Sequence, residues 1–346
     1  MRGKAWWRRD ALERRRRALA QRGAALAALR AFFASRGFAE VETPALQVSP
    51  GLDLHVRALG VELADPLGAR RRLYLHTSPE FAMKKLLAGG IERIFQIARV
   101  WRDGERSPLH HPEFTLVEWY RAGATYDALM EDCAALLAEL ARAAGVEQLV
   151  RGTRACDPLA APIRLSVADA FARFCGIDLL ATAPDPARPD RVLLAAEARR
   201  IGLYVSDNDT WEDVFHRIML ERIEPKLGDG AATFLCDYPL ALASLARPSA
   251  RDPRIAERVE LYACGVELAN GFSELRDPVE QRARFERDAA ERKRLYGVDY
   301  PIDEDFLAAL SEMPEAAGIA LGFDRLVMLL TGAETIEDVL WAPVAE

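Results

Sequence analysis

Two stretches at 93–101 and 113–120 are apolar or alternate, and a polar loop, 103–112, lies between them. No other segment constrains the chain as strongly. Strands joined by so short a loop pair antiparallel, because a parallel pair needs a crossover of a dozen or more residues. Further strands are predicted at 41–44, 73–76, 232–238, 256–273 and 317–321. Helices are predicted at 11–36, 127–144 and 278–295, the last of them charged and exposed. In the first, Leu19, Leu26, Leu29 and Phe33 form one apolar stripe, and Gly37 suits the position after the helix end. Segment 156–230 reads mainly as helices and loops, with a Pro-rich linker at 184–189. Hairpins with helices between them predict an α+β fold, an antiparallel β-sheet flanked by helices. No GxGxxG follows a strand and no GxxxxGK[ST] occurs, which excludes the Rossmann and P-loop readings.

Charge and cysteine content narrow the function classes. Residues 1–36 hold 11 Lys/Arg and 2 Asp/Glu, or +9, in a chain whose net charge is −7. A basic arm on an acidic body suggests an acidic partner near the N-terminus; a solvated helix face would look the same. No apolar run approaches the roughly 18 residues that span a bilayer, so no membrane role is expected. The five cysteines form no CxxC pair, so neither a disulfide framework nor a zinc ribbon is indicated, and a reducing cytoplasm is the simplest setting.

Four clusters carry chemistry. Thr77-Ser78-Pro79-Glu80 opens a helix, with a hydroxyl cap and Pro79 in the first turn; its amides favour an anion, and Glu80 can take a cation. Around the long loop stand Arg102, Glu105, His110, His111, Phe114, Glu118 and Tyr120. Arg102 can grip a phosphate and Phe114 offers a face to a base, while Glu118 and Tyr120, two apart on a strand, share one side. In 260–274, a two-residue turn at Cys264-Gly265 would set Glu267 opposite Tyr262 and diagonal to Glu260. Two such carboxylates need a cation between them, and Mg²⁺ bridged to phosphate is the usual solution. Strict alternation would turn Asn270 away, so a bulge is expected, with Gly271 as its seat. Last, a strand runs into Gly322, which has no side chain to block a ligand. Asp324 is expected to cap the next helix and Arg325 to sit in its first turn, where it needs an anion. Each cluster alone also fits an ordinary cap, hairpin or ion pair. Together they suit Mg²⁺-ATP and a small cationic amino acid.

Arg102 with His110-His111-Pro112-Glu113-Phe114, and Gly322-Phe-Asp-Arg325 entering a helix, resemble motifs 2 and 3 of class II aminoacyl-tRNA synthetases. The string from Glu267 to Glu274 resembles lysyl-tRNA synthetase and its relatives. Ala269, Ala320 and the stretch 234–247 resemble the short paralogues that ligate β-lysine to elongation factor P. Similarity runs from about residue 25 to 341. The resemblance implies a class II catalytic domain over 25–346, with a helical insertion at about 156–230, after a basic arm at 1–24. No anticodon-binding domain is expected. It implies ATP and Mg²⁺ as cofactors, (R)-β-lysine or lysine as substrate, elongation factor P as acceptor and a homodimer formed through motif 1, the segment that ends at Pro44.

Roles follow residue by residue. Arg102 and Arg325 would be catalytic. Arg102, Asp103, Glu105, His111, Phe114, Glu267, Leu268, Gly322 and Arg325 would bind ATP. Ser78, Pro79, Glu80, Glu118, Tyr120, Asn270 and Glu274 would bind the amino acid, and Glu260 and Glu267 the metal. Two positions depart from the family pattern: Gly104 displaces the acid that reads adenine to Glu105, and His111 stands where an Asn is usual. Altered ATP affinity with retained chemistry is expected. Aminoacylation of tRNA is the competing enzymatic reading, against which the acidic body counts. A non-catalytic amino-acid or ATP sensor is the other, against which the retained arginines and carboxylates count.

Overall fold

The computed structural model describes residues 6–344. The first five residues of the basic arm lie outside them. The main sheet has eight strands: β1 (Ala39–Glu40), β2 (Arg93–Trp101), β3 (Glu113–Ala122), β4 (Ile163–Ser166), β5 (Thr233–Pro239), β6 (Ile255–Ala263), β7 (Val266–Ser273) and β8 (Ala316–Gly322). Their spatial order is β1-β2-β3-β8-β7-β6-β5-β4. The six inner strands are antiparallel, as the hairpins predict. Both edges differ from the expected all-antiparallel sheet: β1 runs parallel to β2, and β4 parallel to β5. The strand expected at 41–44 forms instead at 39–40, and the four-residue β4 lies in the segment read as helices and loops. Two small three-stranded sheets flank the main one.

The helices are α1 (Arg9–Ser35), α2 (Glu80–Ala88), α3 (Tyr126–Ala144), α4 (Val167–Cys175), α5 (Arg191–Arg200), α6 (Trp211–Ile218), α7 (Pro278–Tyr296), α8 (Glu304–Glu312) and α9 (Phe323–Thr331). The stripe on α1 is buried at Leu19, Leu29 and Phe33, and Gly37 adopts φ 74° just past the helix end. With α3 and α9, α1 covers one face of the sheet around Trp119, Leu136 and Phe323. Residues 167–227 surround a second core, centred on Phe171, Trp211 and Phe215. On α7, expected to be exposed, Gln281, Arg284, Phe285 and Arg292 are buried. Among the described residues no helix is long and apolar enough to cross a membrane.

Asp324 is not the cap of α9. Gly322 takes that position, and Asp324 lies buried in the first turn. Its carboxylate pairs with the guanidinium of Arg22 on α1 and accepts the Thr115 amide of β3 at 2.7 Å. Arg22 also donates to the Thr115 hydroxyl at 3.2 Å. This one pair joins α1, β3 and α9, and it takes a charge of the basic segment inside the protein. Arg15 donates to the Leu340 carbonyl and Arg30 to Glu40, while Arg8, Arg9 and Arg17 face solvent.

Removing one partner of a buried ion pair leaves the other charge uncompensated, at a cost of about 3–5 kcal/mol. Arg22→Met, which keeps the aliphatic stem, is expected to lower unfolding free energy by that amount in a urea titration. A loss under about 1 kcal/mol would show that the pair does not hold these elements together.

Candidate active site

The sheet positions the site through its register. Glu118 on β3 stands opposite Ala320 on β8, Ala320 opposite Asn270 on β7, and Asn270 opposite Glu260 on β6. The next row holds Tyr120, Gly318, Phe272 and Arg258. Residues paired across neighbouring strands share a face, so both rows look the same way. Gly318 is required there: a Cβ on it would lie 2.1 Å from the Tyr120 ring and 2.7 Å from Glu274 Oε1.

The turn at Cys264-Gly265 forms as expected, both residues having positive φ, and sets Glu267 opposite Tyr262. A bulge is also present, but not at Gly271. The register slips between Leu261–Ala269 and Tyr262–Glu267, leaving Leu268 as the extra residue. Glu267 thereby joins the face of Glu260 and Asn270. Gly271 is a packing glycine, since its Cβ would come within 2.4 Å of Ile319.

These rows floor a cleft of about 430 Å³. Of the sequence-predicted residues it gathers Ser78, Glu80, Arg102, Glu105, His111, Phe114, Glu118, Tyr120, Glu267, Leu268, Asn270, Gly322 and Arg325. Pro79, Asp103, Glu260 and Glu274 do not line it. Pro79, expected in the first turn, is instead the N-cap of α2, so the helix starts one residue later than expected, with the Ser78 hydroxyl accepting the Glu80 amide. Asp103 is exposed and faces Arg57 at 3.8 Å. Gly104 has φ 79°, with the Arg57 guanidinium packed against it. The turn it permits brings Glu105 back to within 3.7 Å of Arg102.

At one end are the phosphate-type groups. Arg102 lies over the Phe114 ring, 5.1 Å from its centre. Arg325 bonds the Glu267 carbonyl at 3.0 Å and His110 at 2.7 Å, and it is 3.5 Å from Glu267 Oε2. Burial, then Arg325 itself, holds the His110 pKa below the usual imidazole range. His111 is buried, and both ring nitrogens contact backbone, at Glu113 and Val344. Each carboxylate oxygen of Glu260 accepts one hydrogen bond, from Arg258 and from the Tyr262 hydroxyl, at 2.7 Å each. Among the described residues no three His, Cys, Asp or Glu side chains cluster as a metal site. Of the two expected metal ligands only Glu267 lines the cleft, and one carboxylate suits Mg²⁺ bound mainly through phosphate oxygens. Glu260 is not among the residues that line the cleft.

At the other end are acids. Glu118 accepts from the Ser78 hydroxyl at 2.5 Å and the Tyr120 hydroxyl at 3.1 Å. Burial, then the neighbouring Glu80, pushes its pKa up to about 8. Burial likewise raises Glu274 to about 8, although Lys84 opposes the shift. Lys84 is the residue that sequence reasoning missed. It is fully buried, with Nζ 2.6 Å from Glu80 Oε1 and 2.5 Å from Glu274 Oε2. The approach to Glu274 is short but badly aligned, so neither Glu274 oxygen accepts a well-formed hydrogen bond. Only the spacing of Glu80 and Lys84, four apart on a helix, hinted at the contact, and that spacing usually marks a surface pair.

Glu118 and Glu274 are largely protonated below pH 8, and a bound ammonium group favours their ionised forms. Affinity for a small diamino acid is therefore expected to rise from pH 6 to about 8 and then level off, which calorimetric titration would read. A flat profile would contradict the burial of these acids.

A profile of the class II tRNA synthetases (D, K and N) matches residues 6–346. Three curated relatives carry the description elongation factor P--(R)-beta-lysine ligase. The protein of Vibrio cholerae is 37% identical over 94% of each chain, that of Proteus mirabilis 40% over 91%, and that of Haemophilus influenzae 38% over 93%. The chain is thus a member of the class II tRNA synthetase family of the D, K and N type.

Proposed function

We propose that this protein uses ATP to activate (R)-β-lysine or lysine as an aminoacyl-adenylate and transfers the aminoacyl group to a lysine ε-amine of elongation factor P. The observation that carries it is the two-ended cleft: Arg102, Phe114 and Arg325 at one end, and Glu80, Glu118 and Glu274 gathered behind Tyr120 at the other. The first set suits a nucleotide triphosphate and the second a molecule with ammonium groups. The relatives' shared description supports both the substrate and the acceptor.

In the first step a carboxylate oxygen of the amino acid attacks the α-phosphorus of ATP. The bond from that phosphorus to the bridging oxygen breaks, and pyrophosphate leaves. No protein nucleophile takes part; positioning and fixed charge supply the catalysis. Arg102 balances charge at the α-phosphate and Arg325 at the terminal phosphates. Phe114 supports the adenine, and Glu105 reads its amino group. Glu267 would hold Mg²⁺, which supplies further charge neutralisation on the phosphates. In the second step the neutral ε-amine of the acceptor attacks the carbonyl carbon, AMP leaves, and the amine gives up a proton. Ser78, Glu118, Tyr120 and Asn270 orient the amino acid. Residues 25–346 form the catalytic unit in this proposal, working in the cytoplasm as a homodimer through α1 and β1.

The test is an intact mass of elongation factor P after incubation with the protein, Mg-ATP and either lysine isomer. The expected result is a gain of one lysyl residue, faster with (R)-β-lysine. Pyrophosphate exchange without that gain would keep the activation step and overturn the acceptor. Glu267→Gln is expected to abolish exchange, and Arg325→Ala to lower it by about 100-fold or more. Retained exchange in Glu267→Gln would overturn the metal assignment.

A further inference from the structure

Three carboxylates and one ammonium meet at the acidic end of the cleft: Glu80 and Glu118 line it, and Glu274 and Lys84 are buried beside them. Glu80 comes from α2, Glu118 from β3, and Glu274 follows β7; Lys84, also on α2, reaches between Glu80 and Glu274. Its Nζ lies 5.0 Å from the centre of the Phe272 ring. Burial works against its charge, but Glu274 and Glu80 outweigh that and hold it protonated. The other groups that face this pocket are Tyr120 on β3, bonded to Glu118, and Arg102 beyond β2, whose field reaches Glu118. Lys85, next along α2, turns away to Asp303 and Asp305.

Counted with all four groups ionised, the pocket carries two net negative charges. Buried charges demand partners, so a pocket of this kind is stable only with protons or cations added. Lys84 supplies one cation permanently. A diamino acid supplies the two that remain, while its carboxylate lies toward Arg102. Without Lys84 the pocket would hold three carboxylates and no cation, and the acids would keep their protons to higher pH, blunting them as acceptors for the substrate.

We propose that Lys84 is a positioning residue that sets the charge of the amino-acid pocket: it neutralises one carboxylate and fixes Glu80 and Glu274, so that the pocket takes a substrate with two ammonium groups. This rests on the diamino-acid reading above. Lys84 is buried and does not line the cleft, so its effect is expected on the amino acid alone.

The test compares the parent, Lys84→Met, Lys84→Arg and Lys84→Met/Glu80→Gln in lysine-dependent ATP–pyrophosphate exchange across pH 6 to 9. Loss of the lysine charge raises the pKa values of the remaining acids. Lys84→Met is expected to raise KM for lysine about tenfold at pH 7 and to move the acid limb of kcat/KM up by about one pH unit, with KM for ATP unchanged. Lys84→Arg should recover most of the loss. The double variant removes one charge of each sign and restores the count, so its acid limb should return toward that of the parent although Glu80 is gone. A merely structural lysine would behave otherwise: the double variant would be worse than the single, KM for ATP would rise, and thermal stability would fall. That outcome, or parental KM and pH profile in Lys84→Met, would overturn the proposal. If the parent itself shows no exchange with any diamino acid, the function reading fails, and calorimetric binding of lysine to the same four proteins still decides on Lys84.

Discussion

Strand register is the constraint on which the site depends. Four inner strands are locked so that Glu118, Ala320, Asn270 and Glu260 form one row, and Tyr120, Gly318, Phe272 and Arg258 the next. A slip of one residue in any of them would turn its side chains to the opposite face. The irregularity at Leu268 is itself functional in geometry, because it is what turns Glu267 onto the cleft side. The Arg22–Asp324 pair then pins α9 to β3 and α1 and so fixes where Arg325 begins. Arg325 in turn bonds Glu267 and His110, closing the phosphate end against the loop between β2 and β3.

The two ends of the cleft use opposite electrostatics for a common purpose. At one end Arg102 makes one long hydrogen bond, to the Thr77 carbonyl at 3.4 Å, and has donors left for a ligand, and carboxylates at the other are forced toward neutrality by burial. Each end is under-satisfied alone, and each is completed by a ligand of the opposite charge. An amino acid with two ammonium groups and a nucleotide triphosphate satisfy both ends while bringing a carboxylate to a phosphate. The activation chemistry then needs proximity and charge balance more than any reactive side chain.

Much of this was legible in the chain. The hairpin of β2 and β3, the turn at Cys264-Gly265 and the strand-to-helix junction at Gly322 all rest on local signals: period-two alternation, a tight-turn pair, a glycine before a helix. The clefted face followed from them. What escaped has a common cause in long-range contact. Asp324 has the look of a cap, yet its partner Arg22 lies 302 residues away. A bulge was called for by Asn270, but glycine drew it to Gly271, where the real demand is the close approach of Ile319; Leu268 carries no bulge signal. Lys84 reads as a surface partner of Glu80 until tertiary packing buries it beside Glu274. Arg258, which bonds Glu260 and Asn270, is likewise invisible without the register. Asp103 was placed with ATP by motif alone, and Gly104 turns it outward.

The central claim is that the acidic end counts ammonium groups. The most direct measurement is ATP–pyrophosphate exchange with lysine set against norleucine, which has the same chain without the distal amine. Exchange that depends on the second ammonium group, with norleucine at least about 100-fold poorer, is the expected result, because a site built for a polar group is left with buried unpaired acids when that group is missing. Comparable exchange with both would contradict it.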